Sequence, residues 1–117
     1  MTTNNDDRFR PWGHYDILLD SPECKVKRII VHPKKRLSYQ RHQYREEYWT
    51  IVKGTGLVTL NDKNISLSEG HQIHIPMGAN HRIENPSNNT LIFIEIQRGS
   101  YFGEDDIIRL KDDFNRK

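Results

Sequence analysis

With Cys24 as its only cysteine, this chain can close no intramolecular disulfide and build no cysteine-based zinc knuckle, in keeping with a reducing compartment. It also lacks any stretch near the roughly 20 apolar residues that a membrane-spanning helix needs. The opening MTTNNDDRFR holds no apolar signal core. A cytoplasmic protein with no membrane partner is expected. A dominant charge is missing too: 18 basic and 16 acidic residues leave a formal net charge of +2, too balanced for the broad basic face of a nucleic-acid binder. Before residue 100 no apolar period of 3.6 residues persists for three turns, which excludes a helical bundle. No low-complexity tract interrupts the chain.

What is present is a rhythm of short strands. YDILL, VKRIIVH, LSYQRH, EYWTIV, GLVTL, QIHIP, HRIEN and TLIFIEIQ are separated by DSPE, HPKK, KGTG, LNDKN, SEG, PMGAN and NPSNN, each carrying the Gly, Pro, Asn, Asp or Ser of tight turns. Hydrophobic residues make up 34% and charged residues 29% of the 117 positions, a composition for one thin β domain rather than for a large core. An all-β sandwich or barrel follows. Residues 1–9 are expected to be a disordered polar tail and 10–117 the folded domain, with an N-terminal arm and a C-terminal closing segment. Within that segment, EDDIIRLKDDF fits either one short helix or a final strand with a turn.

The stretch YQRHQYREEYWTIVKG contains a conflict of parity. Ser38, Gln40 and His42 share one side of a regular strand, and past the turn Glu47 shares a side with Trp49 and Ile51. Those two are natural core residues, so the Glu47 carboxylate points inward, an expensive place unless a cation meets it. Gln40, His42 and Glu47 offer an amide oxygen, an imidazole nitrogen and a carboxylate, donors suited to a divalent first-row ion. A fourth donor is His81, in GHQIHIPMGANHRIEN, where Pro76 and Gly78 shape a turn that returns the chain to the barrel. Glu47→Gln is expected to strip the metal and leave the barrel largely folded.

The spacing around these residues resembles the two motifs of the cupin superfamily: Gly54 follows Glu47, and the second segment reads glycine, five residues, Pro-x-Gly, two residues, histidine, three residues, asparagine. The usual His-x-His start is here Gln40-x-His42. The 15 residues Thr55 to Glu69 between the motifs imply one tight hairpin with no inserted module. RPWGHY, LSYQRHQYREEYW, HRIEN and IEIQRGSYFGEDDIIR narrow the resemblance to the type II mannose-6-phosphate isomerase domain, which in many bacteria forms the C-terminal part of a bifunctional guanylyltransferase and isomerase, and in which a Gln-x-His start is normal. The resemblance implies a single-domain cupin jelly-roll β-barrel over about residues 10 to 113. No glycine-rich nucleotide-binding signature is present, so guanylyltransferase chemistry is not expected of these residues.

The implied activity is metal-dependent aldose–ketose isomerisation of mannose 6-phosphate to fructose 6-phosphate through an enediolate. Its alternatives are a non-catalytic cupin module that binds a sugar phosphate or nucleotide sugar, and a cupin dioxygenase. Zinc suffices for the isomerase because no redox step occurs, with manganese, cobalt, nickel and iron as other candidates. Arg45 matches the arginine of the family motif, where a fixed cationic fork holds phosphate or enediolate oxygens. Glu95 is the candidate general base. Tyr101, Glu104 and Arg109, in the closing segment, are candidate substrate contacts at the barrel mouth.

In TLIFIEIQ, Ile92, Ile94 and Ile96 are expected to face plain core, and Leu91, Phe93, Glu95 and Gln97 to face the cavity or a second subunit. Trp49 is expected as core volume and Trp12 across a dimer contact. The charged turn HPKKR is expected to be solvated, and His14, His32, His71 and His74 to lie outside the metal set. A homodimer acting on a small sugar phosphate is the expected assembly.

Overall fold

The eight runs read from the sequence all form strands, and three further strands join them. The computed structural model describes residues 8–114. In chain order the strands are β1 (Phe9–Arg10), β2 (Gly13–Asp20), β3 (Cys24–Val31), β4 (Tyr39–Arg41), β5 (Arg45–Lys53), β6 (Gly56–Leu60), β7 (Lys63–Leu67), β8 (Gln72–Ile75), β9 (His81–Glu84), β10 (Leu91–Gly99) and β11 (Ile108–Lys111). The closing segment therefore ends in a strand, which pairs with β4. Among the described residues no helix is long and apolar enough to cross a membrane.

Two antiparallel sheets result: six strands in the order β1-β2-β3-β10-β5-β8 and five in the order β11-β4-β9-β6-β7. Their inner faces enclose one core built from Trp12, Tyr15, Ile29, Val31, Trp49, Ile51, Val58, Ile83, Leu91 and Phe93 among others. Strand β7 escapes a hydropathy reading because Lys63, Asn64 and Ser66 are exposed and only Ile65 and Leu67 turn inward. It is joined to β6 by Asn61 and Asp62, both at positive φ (48° and 70°), the two-residue hairpin in which Asn and Asp tolerate a left-handed backbone. In the larger sheet, Gly13 lets β2 approach β3, since a Cβ there would stand 2.0 Å from the carbonyl oxygen of Ile30.

Residues 1–7, most of the expected tail, lie outside the described residues. Phe9 is already in β1, opposite His14. Two further expectations change, and one buried charge was not expected. In β10 the inner face carries Leu91, Phe93, Glu95 and Gln97, whereas Ile92, Ile94 and Ile96 lie on the outer, partly exposed face; both faces carry apolar residues, so parity by itself could not choose. Trp12 packs inside its own barrel, buried within the core cluster. Lys27 is buried although it is a lysine.

Candidate metal centre

Strand β5 buries Arg45, Glu47, Trp49 and Ile51 on its inner side, which confirms the parity that placed Glu47 among core residues. The turn before β5 supplies His42, and β9 supplies His81. Their exposures are 2% for Glu47, 4% for His42 and 3% for His81, so the three donors meet away from bulk water. One ligand atom from each lies within 4.8 Å of the others. Nε2 of His42 is 3.3 Å from Oε2 of Glu47, and Nε2 of His81 is 4.0 Å from Oε1.

Backbone carbonyls determine which imidazole nitrogens are available. Nδ1 of His42 donates to the carbonyl of Asp106 (2.7 Å), and Nδ1 of His81 donates to the carbonyl of Ala79 (2.9 Å). A carbonyl only accepts, so each proton sits on Nδ1 and each Nε2 turns a lone pair toward Glu47, the arrangement that outer partners impose on metal-binding histidines. Burial keeps both rings neutral: it lowers the pKa of His42 and takes His81 down to about 4, against the opposing pull of Glu47. Burial also raises the pKa of Glu47, but the Arg45 guanidinium outweighs it and holds the carboxyl well below its usual range. Two neutral imidazole lone pairs and one carboxylate fit a divalent ion.

Arg45 has a claim on the same atoms. Its Nε donates to Oε2 of Glu47 at 2.8 Å, and its Nη2 lies 3.2 Å from Nε2 of His42, which with the tautomer above accepts the bond. One lone pair cannot serve a guanidinium and an ion together, so an ion bound by His42 displaces that Arg45 contact. Nη1 of Arg45 is buried with no hydrogen-bond partner and remains available to an anionic group.

The cluster forms one wall of a cavity of about 90 Å³. Gln40, Arg45, Glu95, Glu104 and Arg109 line it with the three ligands, and Ser38, Trp12 and Trp49 contribute as well. Gln40 stands opposite His81 in the sheet, and its amide nitrogen donates to the carbonyl and hydroxyl oxygens of Ser38, which leaves its own carbonyl oxygen as the candidate fourth donor. Glu95 is 5% exposed, beside Glu47, and accepts a bond from Gln97 at 2.6 Å. Burial and then the Glu47 charge push its pKa up to about 8, so of the two neighbouring carboxyls Glu47 holds the charge and Glu95 the proton.

Tyr101 is the one predicted substrate residue that does not line the cavity: it is 45% exposed, donates to Asp105 and meets the ring of Tyr44 edge-on at 6.4 Å. Its position two residues past β10 carries the side chain to the outside. His14, His32, His71 and His74 stand apart from the cluster, as expected. In the HPKKR turn, Lys34, Lys35 and Arg36 are away from the cavity, and Arg36 is paired with Asp113.

Three residues were missed. Lys27 and Arg82 line the cavity. Lys27 carried the same signal as Glu47, a charge sharing parity with Ile29 and Val31. Arg82 had none, because its neighbours His81 and Ile83 are buried too. Asp106 orients His42 through its carbonyl while its carboxylate accepts from the backbone N–H groups of Gln43 and Tyr44, both at 2.9 Å. Asp106→Ala is therefore expected to lower stability by roughly 3 kcal/mol, through two hydrogen bonds to a charged acceptor, and, because the backbone carbonyl that orients His42 is kept, to weaken metal retention by less than about 10-fold. Thermal unfolding and metal titration of the variant check both.

A two-sheet antiparallel barrel that gathers histidines and a glutamate from the β4–β5 region and β9 defines a cupin. The Cnp3 cupin domain of Schizosaccharomyces pombe superposes with a TM-score of 0.71 at 13% identity, over 74% of this chain and 64% of that one. Within the cupins, the family described as "Mannose-6-phosphate isomerase C-terminal" matches residues 1–112, and the chain belongs to it. A mannose-1-phosphate guanylyltransferase of Klebsiella pneumoniae is 48% identical over 108 residues, which cover 92% of this chain and 23% of that protein. The alginate biosynthesis protein AlgA of Pseudomonas aeruginosa is 45% identical over 115 residues, 98% of this chain and 24% of that protein. The chain thus spans about a quarter of the length of these relatives.

Proposed function

We propose that this domain is a metal-dependent mannose-6-phosphate isomerase, converting mannose 6-phosphate to fructose 6-phosphate. The observation that carries the reading is the meeting of two neutral imidazoles and an ionised carboxylate, His42, His81 and Glu47, with a protonated carboxyl, Glu95, in one cation-lined cavity. Membership of the family and the similarity to polysaccharide-precursor enzymes support it. Bound by His42, Glu47, His81 and Gln40, a divalent ion would act as a Lewis acid toward negative charge that develops on the sugar oxygens, and zinc would suffice.

The chain's own residues supply the rest. Moving a proton between adjacent carbons needs a group that gains and loses it near the working pH, and Glu95, pushed up to about 8, meets that need. Arg45, with Nη1 unpartnered, is placed to bind an enediolate oxygen. Arg109 and Glu104 enter the cavity from the closing segment, Arg109 as a substrate contact and Glu104 as the partner of Lys27. Trp49 donates to Oε1 of Glu47 at 2.9 Å and keeps the carboxylate from rotating.

The reading includes a cytoplasmic location and a homodimer, consistent with a single cysteine and with strands β7 and β8 open at the sheet margins. Sedimentation of the purified chain measures the assembly. A second reading is a sugar-phosphate-binding module without turnover, favoured by the Arg45 guanidinium that already engages both Glu47 and His42. A coupled assay for fructose 6-phosphate separates the two, using chelated protein reloaded with zinc, manganese, cobalt, nickel or iron. Turnover with zinc is expected. Stoichiometric metal without turnover leaves the binding module, and turnover of molecular oxygen with iron alone leaves the dioxygenase.

A further inference from the structure

We propose that Lys27, flanked by Lys25, is the seat of the phosphate group of the substrate, and that the carboxylate of Glu104 occupies this seat until a phosphate displaces it. The inference rests on the sugar-phosphate reading above and assigns a place to its charged end.

Lys27 lies on β3, opposite Glu95 of β10 and level with core residues, and its side chain is 4% exposed. A buried ammonium needs an anion. Its Nζ lies 4.2 Å from the centre of the Tyr15 ring and forms its ion pair with Glu104 at 2.5 Å. That partner is not part of either sheet. Glu104 belongs to the irregular stretch between β10 and β11, 77 residues along the chain from Lys27, and its side chain is 43% exposed. Lys25, only 11% exposed, reaches the same carboxylate at 3.9 Å. One acidic group thus faces two cations built into a rigid sheet, with Arg45 adding a third positive field.

Charge and space agree on displacement. Lys25 and Lys27 set two positive charges against the one carboxylate of Glu104, a surplus that a dianionic phosphate neutralises better than a single carboxylate does. The cavity measures about 90 Å³, below the roughly 300–1,000 Å³ of small-molecule sites, so an entering sugar phosphate has to move something. The half-exposed Glu104 on an irregular segment moves more easily than any strand residue. Position fits as well: β3 and β5 lie either side of β10, about 10 Å apart between backbones, a separation comparable to the length of a six-carbon sugar held between Lys27 and the metal ligands.

The test is binding, without turnover. Inorganic phosphate, mannose 6-phosphate and mannose are titrated calorimetrically into the wild-type domain, Glu104→Gln and Lys27→Met. Glu104→Gln is expected to bind inorganic phosphate at least about fivefold tighter, because the competing carboxylate is gone. Lys27→Met, close in length and apolar, is expected to lose phosphate and mannose 6-phosphate affinity by about tenfold or more, the worth of a charge-assisted hydrogen bond, and to keep its affinity for mannose. Phosphate affinity unchanged or weakened in Glu104→Gln overturns the inference, as does undiminished phosphate affinity in Lys27→Met. If Lys27→Met does not fold, the half-exposed Glu104→Gln decides alone. Phosphate bound through Lys27 without isomerisation keeps this inference and removes the isomerase reading. Isomerisation with both variants unaltered in phosphate affinity does the reverse.

Discussion

Glu47→Gln is expected to weaken divalent-metal retention at neutral pH by at least about 100-fold, more than the loss of an outer partner costs, and to lower the melting temperature by more than about 10 °C. Glu47 is the only carboxylate in the ligand cluster, so the metal loss follows directly. The fall in stability follows from Arg45, which is 5% exposed and donates its Nε to Glu47. Removing one partner of a buried pair strands the other, at a cost of roughly 3–5 kcal/mol, against a total stability of about 5–15 kcal/mol for a domain. The sequence predicted metal loss with little effect on the barrel; the Arg45 contact adds the stability cost. A double variant, Glu47→Gln with Arg45→Met, is expected to recover most of the melting temperature and none of the metal. Metal analysis and thermal denaturation of the two proteins check the pair of effects, and full metal stoichiometry in Glu47→Gln would sink the ligand assignment.

The second large effect concerns Glu95→Gln. Because the folded carboxyl is pushed up to about 8 from an ordinary 4.5, its contribution to stability is fully present below pH 4.5 and is lost as the pH rises through 8. His81 acts the other way: depressed to about 4 from 6.5, it contributes above pH 6.5 and that contribution is lost as the pH falls through 4. Between pH 4.5 and 6.5 the two slopes oppose each other. From 6.5 to 8 Glu95 acts alone, so the chelated protein is expected to lose about 2 kcal/mol there, at 1.36 kcal/mol for each unit. Glu95→Gln has the shape of the protonated acid and is expected to abolish that decline, with stability near pH 4.5 unchanged to within about 1 kcal/mol. If Glu95 moves the proton, the variant also loses turnover by about 10²- to 10⁴-fold. Denaturant titrations of chelated protein at several pH values read the first effect, and the coupled assay the second. A decline between pH 6.5 and 8 that survives in the variant would show that another group titrates.

Much of the site was legible before any fold was known. A carboxylate sharing parity with Trp49 and Ile51 is a local contradiction, and it pointed inward to a cation. The same test applied to VKRIIV would have found Lys27, since Lys25 and Lys27 share parity with Ile29 and Val31. Tyr101 shows the limit of carrying a role over from a resemblance: its motif matches, but nothing in the string says on which side of the closing segment its ring emerges. The isoleucines of β10 failed for another reason. Both faces of that strand are apolar along most of its length, and hydropathy cannot rank two apolar faces.

The sequence by itself determined eight strands, the turn positions, the inward direction of Glu47 and the four candidate ligands. Alternation, turn chemistry and motif spacing act over a few residues and need no partner. Only the tertiary structure decided that the Asp106 and Ala79 carbonyls orient the two imidazoles, that Arg45 holds Glu47, and that Glu104 reaches Lys27 across 77 residues of chain. Those contacts depend on the register between strands and on where an irregular segment folds back, and both are settled by how the two sheets close around one core.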